Sequence, residues 1–353
     1  MTPSIELPDE IAGPAAWYGP QVATRSDWAT TVGGEEIAEI ELAVRGLEES
    51  GVEPATLGRE DFPLPTLGPR LRRVLAEVLD GRGFALLRGL PVQEWGARRS
   101  ARAFLGLGLH LGNLRSQNAQ GHLLGHVRDQ GLSSRDPNVR IYQTRERQNY
   151  HTDSCDVVGL LCLHPARSGG LSSLVSSVTI FNELRRRRPD LARALFEPLE
   201  TDRRGEAPPG QRPYFRIPVF NWHADLLTTI YHRPYIESAR RFAEVPPLTP
   251  AQTEALNAFD ALANDPALHF FMEFRAGDVQ LVCNHSLLHD RTAFEDWPEP
   301  ERRRHLLRLW LAPPEARPLP AVFADRYGGL IPGHRGGIHF PGSPLTVPWQ
   351  PDG

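Results

Sequence analysis

Lysine is absent from the 353 residues, so every one of the basic side chains is an arginine. That bias fits a GC-rich genome and carries no functional message. Cysteine is nearly as scarce: Cys155, Cys162 and Cys283 are too few and too scattered for a disulfide framework. No stretch approaches the roughly 20 apolar residues needed to span a bilayer, so a membrane helix is not expected. The opening MTPSIELPDE lacks the basic segment and apolar run of a secretory signal, and the expected compartment is the cytoplasm. Blocks of positive charge are missing as well. The net charge is −4 and the one basic run, at 185–188, precedes Pro189 and Asp190, so it reads as a solvated helix face. Nucleic acid is therefore not an expected partner.

What is present is ordinary globular material, with 40% hydrophobic and 23% charged residues, enough for a sizeable core. Residues 1–68 mix proline, glycine and acids around one helix near 35–49, and read as an amino-terminal extension packed on the core. A helix over 69–79 carries Leu71, Val74, Leu75, Val78 and Leu79 on one face; the strand-like FALLRGL comes next, then a helix over 97–111. From about Asn138 the chain turns to eight short β-type runs: VRIYQT, VVGLLCLH, LSSLVSS, YFRIPVF, LLTTIYH, HFFMEF, DVQLVCN and HLLRLWL. Thr249, Pro250 and Gln252 form a helix start of the capping-box kind ahead of Leu256, Phe259, Leu262 and Ala263. The expected fold is mainly β with flanking helices, a sandwich or jelly roll over 69–315, and then a Pro/Gly-rich tail over 316–353 that wraps the surface.

Chemistry concentrates at Tyr150-His151-Thr152-Asp153, where a β-pattern begins. On a strand His151 and Asp153 share one face, with Cα atoms about 6 to 7 Å apart. Two imidazoles and a carboxylate make the facial triad of non-haem Fe(II), with three positions left open. An H-x-D pair alone is a weak signal, and His223-Ala224-Asp225 is a second one. The segments downstream of each pair tell them apart.

His151-Thr152-Asp153, then Gly169-Gly170-Leu171-Ser172, Gly277-Asp278, Asn284, His289-Asp290-Arg291-Thr292-Ala293-Phe294 and Arg304-x-x-x-Arg308 together resemble the taurine dioxygenase (TauD/TfdA) family of Fe(II)/2-oxoglutarate oxygenases. The resemblance runs over about 83–313. It implies a double-stranded β-helix, or jelly-roll, core of the clavaminate-synthase-like kind. It also implies that His151, Asp153 and His289 hold iron, with His285 a competitor off the family pattern. Arg304 would clamp the distal carboxylate of 2-oxoglutarate, helped by the hydroxyl of Ser172, where relatives usually carry threonine. Arg308 would face the cosubstrate or a substrate acid nearer the iron. Cys283 stands where many relatives have aspartate, and reads as a buried hydrophobe.

The implied cofactors are Fe(II), 2-oxoglutarate and O2, and the implied reaction is oxidation of a C–H bond of a small polar substrate. Asp153 favours hydroxylation, since related halogenases lack this carboxylate; desaturation and cyclisation use the same triad. On the last strand Arg304, Leu306, Arg308 and Trp310 alternate with Leu307, Leu309 and Leu311, so two arginines point one way, about 13 Å apart. Candidates for touching substrate are Asn118, Tyr142, Gln143, Tyr150 and Arg308, which suits a carboxylate- or amino-acid-like molecule. Two other readings stay open: a jelly-roll Zn or Mn metalloprotein that is not an oxygenase, and a silent binding protein of the same fold. The Arg304/Ser172 pair separates the first from an oxygenase, and an intact triad the second.

Overall fold

The computed structural model describes residues 6–133 and 139–351. Apolar spacing becomes structure with small shifts at the ends. Leu71, Leu75, Val78 and Leu79 lie buried on a helix spanning Leu67–Leu79, and the run after it forms the strand Phe84–Arg88. The next helix spans Val92–Leu109, broken near its start by Gly96 at φ 69°. Thr249 caps Pro250–Ala263 as expected: its hydroxyl accepts from the Gln252 amide, and the Gln252 side chain accepts from the Thr249 amide.

Seven of the eight β-type runs form strands. VRIYQT does not. There Ile141–Gln143 is a 3-10 turn, closed when the Gln143 side chain accepts from the Arg140 amide at 2.9 Å. A local side-chain bond has taken a backbone donor that a ladder would need. Asn138, where that region begins, lies outside the described residues.

The strands make two main sheets. The large one has seven strands in the order Ala29–Thr31, Phe84–Arg88, Val279–Cys283, Val157–His164, His305–Ala312 and Asn113–Arg115, with Leu124–Val127 also on His305–Ala312. The small one orders His269–Met272, Ser172–Ser176, Leu287–Arg291 and Gln148–His151. Their inner faces share one apolar cluster, to which Val158, Leu306 and Trp310 come from the large sheet and Leu174, Phe270 and Leu287 from the small one. The outer face of the large sheet packs Leu161, Leu281, Leu307, Leu309 and Leu311 against the helices carrying Ile40, Leu71 and Phe104. The outer face of the small sheet packs Val175 and Leu288 against Phe181 and Phe259. Helix, sheet, sheet, helix is the layering, and the alternation expected around Arg308 holds. Among the described residues, no helix is long and apolar enough to cross a membrane.

Both chain ends are more deeply built in than an extension and a tail. Ala29–Thr31 pairs in parallel with Phe84–Arg88 as an edge strand, and Ile40, Val44 and Leu47 of the helix Gly34–Ser50 join the main core. A boundary at 68 would cut the helix Leu67–Leu79. Residues 316–351 do not simply wrap the surface: Phe323 and Arg335 are fully buried, and Tyr327 nearly so. The Arg335 guanidinium holds Asp156 from Nη2 at 2.9 Å and Nε at 3.0 Å, and His285 Nε2 meets the same carboxylate at 2.6 Å. Asp156→Asn would leave Arg335 charged and enclosed with no counter-ion, so a loss of about 3–5 kcal/mol in stability is expected. A urea midpoint unchanged from the parent would remove that role from the pair.

Candidate metal centre and its two cavities

His151 ends the strand Gln148–His151, and the ladder sets it directly opposite His289 on Leu287–Arg291. Cross-strand partners project to the same side, and the two rings stand 4.2 Å apart. Asp153 does not share that strand, contrary to the parity expected from sequence, because pairing stops at His151. A loop brings it in instead. Its amide donates to Asn284 Oδ1 at 2.9 Å, and the neighbouring Ser154 carbonyl accepts from the Gly337 amide at 2.7 Å. The carboxylate then stands 3.9 Å from Nε2 of each histidine, Oδ1 toward His151 and Oδ2 toward His289. One ligand atom from each of the three residues lies within 4.8 Å of the others, and no second group of this kind occurs among the described residues.

Protonation suits a cation. His151 Nδ1 pairs with the Asn149 carbonyl at 2.8 Å, which puts the proton there and leaves the Nε2 lone pair free to bind. Gln148 Nε2, 2.9 Å from that nitrogen, is its partner here. Burial pushes both imidazoles down, His289 to about 3. Burial alone would raise Asp153, but Arg308 and the two imidazoles outweigh it and hold the carboxyl down to about 2. At neutral pH both imidazoles are therefore neutral and Asp153 is ionised, the forms that ligate a cation. Two histidines titrating near 6.5 would lose about 100-fold in metal affinity between pH 7.5 and 5.5. Here Mn(II) affinity, read by equilibrium dialysis, is expected to fall by clearly less than that over the same range, because burial lowers both imidazoles. A 100-fold fall would show that the imidazoles titrate normally.

The competing histidines are occupied otherwise. His223-Ala224-Asp225 is the tip of the hairpin joining Phe220–His223 and Leu226–Thr229, with Ala224 and Asp225 at φ 50° and 58°. Two adjacent positive φ values mark a tight hairpin turn in solvent. His285 is spent on Asp156.

Two cavities meet at the triad. Ser172, His289, Arg291, Arg304 and Arg308 line one of them. Arg304 is 4% exposed and its Nη1 is buried with no partner; burial brings the guanidinium down to about 10. Gly170, at φ +66°, would place a Cβ 3.0 Å from Arg304 Nε, so the Gly-Gly pair makes room for this side chain. The Ser172 hydroxyl lies in the same cavity and pairs with the Gln280 amide, accepting from Nε2 at 3.0 Å. Arg291 adds a second cation. It donates to the Thr144 and Glu146 carbonyls, yet its Nε is buried and unpartnered, and burial beside Arg304 brings it down to about 9. Enclosed guanidiniums with idle N–H groups call for an anion. Sequence reasoning passed over Arg291, although its parity with His289 on one strand was a usable signal.

Arg308 belongs to both cavities. Its Nε donates to Gln117 Oε1 at 2.7 Å, its Nη1 lies 3.6 Å from Asp153 Oδ2, and its guanidinium stands between the rings of Tyr142 and Trp310. Trp310 Nε1 donates to that same Asp153 oxygen at 2.8 Å. Arg308, Trp310 and Asn284 thus fix the carboxylate.

The second cavity runs from His151 and Asp153 past Tyr142 and His232 to Arg140, Arg203, Glu206 and Arg326. Of the five residues expected near substrate, Tyr142 and Arg308 line it. Asn118 and Gln143 line a different, outer cavity. Tyr150 points the other way, into the helix-side core, with its hydroxyl on Ser173; as the strand neighbour of His151 it must take the opposite face. His232 was not foreseen. Its ring lies 5.3 Å from His151 and flat on Tyr235, with Nδ1 buried and unpartnered.

Comparison with known proteins agrees with this geometry. Residues 48–310 match the family model described as taurine catabolism dioxygenase TauD, TfdA family. The chain is 31% identical over 332 residues to FR-33289 synthase of Streptomyces rubellomurinus, covering 92% of this chain and 96% of that one. It is 31% identical over 330 residues to the taurine hydroxylase-like protein SAT17 of Stachybotrys chartarum, covering 88% and 84%. Its fold is similar to that of an asparagine oxygenase solved with Fe(II), 2S,3S-3-hydroxyasparagine and succinate, at TM-score 0.62 and 18% identity over 80% of this chain and 93% of that one.

Proposed function

The chain belongs to the TauD, TfdA dioxygenase family, and on that footing we propose that it hydroxylates a C–H bond of a small polar acid at the expense of 2-oxoglutarate and O2. The observation that carries this is a cavity lined by the triad histidines His151 and His289 that also holds two buried guanidiniums, Arg291 and Arg304, each with an unpartnered nitrogen. A Zn or Mn hydrolase has no use for such a clamp. The two-sheet sandwich is, in this reading, the double-stranded β-helix of the family.

His151, Asp153 and His289 would hold Fe(II). Bound iron, with 2-oxoglutarate and O2, supplies the oxidant for an unactivated C–H bond, and the balance is one substrate, one 2-oxoglutarate and one O2 giving hydroxylated product, succinate and CO2. The protein contributes placement and shelter. Arg304 would hold the distal carboxylate of 2-oxoglutarate, with Arg291 beside it and the Ser172 hydroxyl as a further donor. Trp310 and Arg308 keep Asp153 aimed at the metal. Tyr142 and Arg308 border the substrate, a small polar acid of the amino-acid-like kind.

Anaerobic addition of Fe(II) and 2-oxoglutarate is expected to give the weak visible charge-transfer band of an iron–keto-acid chelate, and admission of O2 to give succinate. A colourless mixture in which dialysis shows both bound would overturn the reading.

A further inference from the structure

The far wall of the second cavity is more basic than a single carboxylate needs. Arg203 and Arg326 both stand over the ring of Phe215, with guanidinium carbons 5.3 and 5.6 Å from its centre. Arg203 has a side chain only 4% exposed, spends Nη2 on Asp325 at 2.6 Å, and keeps a buried Nε without a partner. Arg326 donates to the Gly337 carbonyl at 3.2 Å and, among the described residues, has no carboxylate within ion-pair distance. The acids on this wall are already engaged. Glu206 is taken by Arg140, and Asp202 by Arg241 and the Ser238 hydroxyl. Burial holds both Arg203 and Arg326 below the usual arginine range, so each charge is poorly solvated where it stands.

One guanidinium fork matches the two oxygens and the single charge of a carboxylate. A phosphoryl group near neutral pH carries close to two charges on three acceptor oxygens, and so engages two forks at once. We propose that Arg203 and Arg326 form a subsite for a phosphoryl head, so that the substrate is a phosphonate or phosphate monoester. Its acid end lies on Phe215's two arginines, and its oxidised carbon faces His151, Asp153 and His289. The inference rests on the oxygenase reading and narrows its substrate.

Isothermal titration of the anaerobic enzyme loaded with Fe(II) and 2-oxoglutarate, at pH 8, decides it with four probes: methylphosphonate, methyl phosphate, methanesulfonate and acetate. The phosphoryl probes are expected to bind saturably and at least tenfold more tightly than the two monoanions, and the tighter of the pair tells phosphonate from phosphate ester. Arg326→Gln and Arg203→Gln are each expected to weaken phosphoryl binding tenfold or more. Arg326→Lys, which keeps the charge without the fork, serves if Arg326→Gln melts early, with an intermediate loss expected. Acetate or methanesulfonate binding as well as methylphosphonate, or phosphoryl affinity indifferent to these variants, would overturn the proposal. The charge-transfer band of the wild-type chelate keeps the two readings apart: its presence without phosphoryl binding sinks the subsite alone.

Discussion

His151→Ala is expected to cut O2-dependent succinate formation by more than about 1000-fold, while His223→Ala leaves it within about twofold. The two residues open the same H-x-D pattern and differ only in where the fold puts them. His151 lies opposite His289 in the ladder, with its proton fixed on the Asn149 carbonyl and its other nitrogen turned to Asp153. Removing it leaves two ligands for an ion whose open positions must still be oriented for cosubstrate and O2. His223 is exposed at a hairpin tip, and its loss removes no enclosed contact. Succinate released in single-turnover experiments, with and without substrate, measures both variants. If His151→Ala turned over normally and His223→Ala did not, the metal would have to sit at the hairpin.

Much of this site was legible in the sequence because its signals are local or periodic. The alternation of Leu307, Leu309 and Leu311 against Leu306, Arg308 and Trp310 is a property of one strand, and each residue lies on the face it predicts. The cap at Thr249 is four residues long and needs nothing else. Failures came where distant segments decide. Asp153 reaches the triad through Asn284 and a backbone bond from Gly337, neither visible from the H-x-D spacing. Gln143 stands eight residues before His151 in sequence, yet the turn at Ile141–Gln143 sends it outward to the Gln130 side chain, and it lines the outer cavity with Asn118. The tail looked like surface wrapping because proline and glycine carry no burial signal. What fixes it is buried Phe323 and Tyr327 together with an enclosed arginine, Arg335, whose partner Asp156 comes three residues after the metal ligand Asp153.

Arg304 shows what the site costs the fold. Among the described residues, no carboxylate lies within ion-pair distance of its guanidinium; Asp296 is bonded by the Arg304 backbone amide, at 2.7 Å, and not by the side chain. A cation enclosed in this way destabilises the protein until an anion arrives. Two opposite results are therefore expected from one substitution. Arg304→Met should weaken 2-oxoglutarate binding by about 2–4 kcal/mol, the worth of a charge-assisted pair, or roughly 30- to 1000-fold. The same change should leave the ligand-free protein as stable as the parent or more so, because it removes a buried charge and leaves no partner behind. Arg304→Lys keeps the charge but loses the planar fork, and should fall between in affinity without the gain in stability. Binding is read from the chelate band on titration with 2-oxoglutarate, and stability from denaturant midpoints without it. A large stability loss in Arg304→Met with affinity unchanged would make this arginine a structural strut, and the cosubstrate would have to be anchored by Arg291 alone.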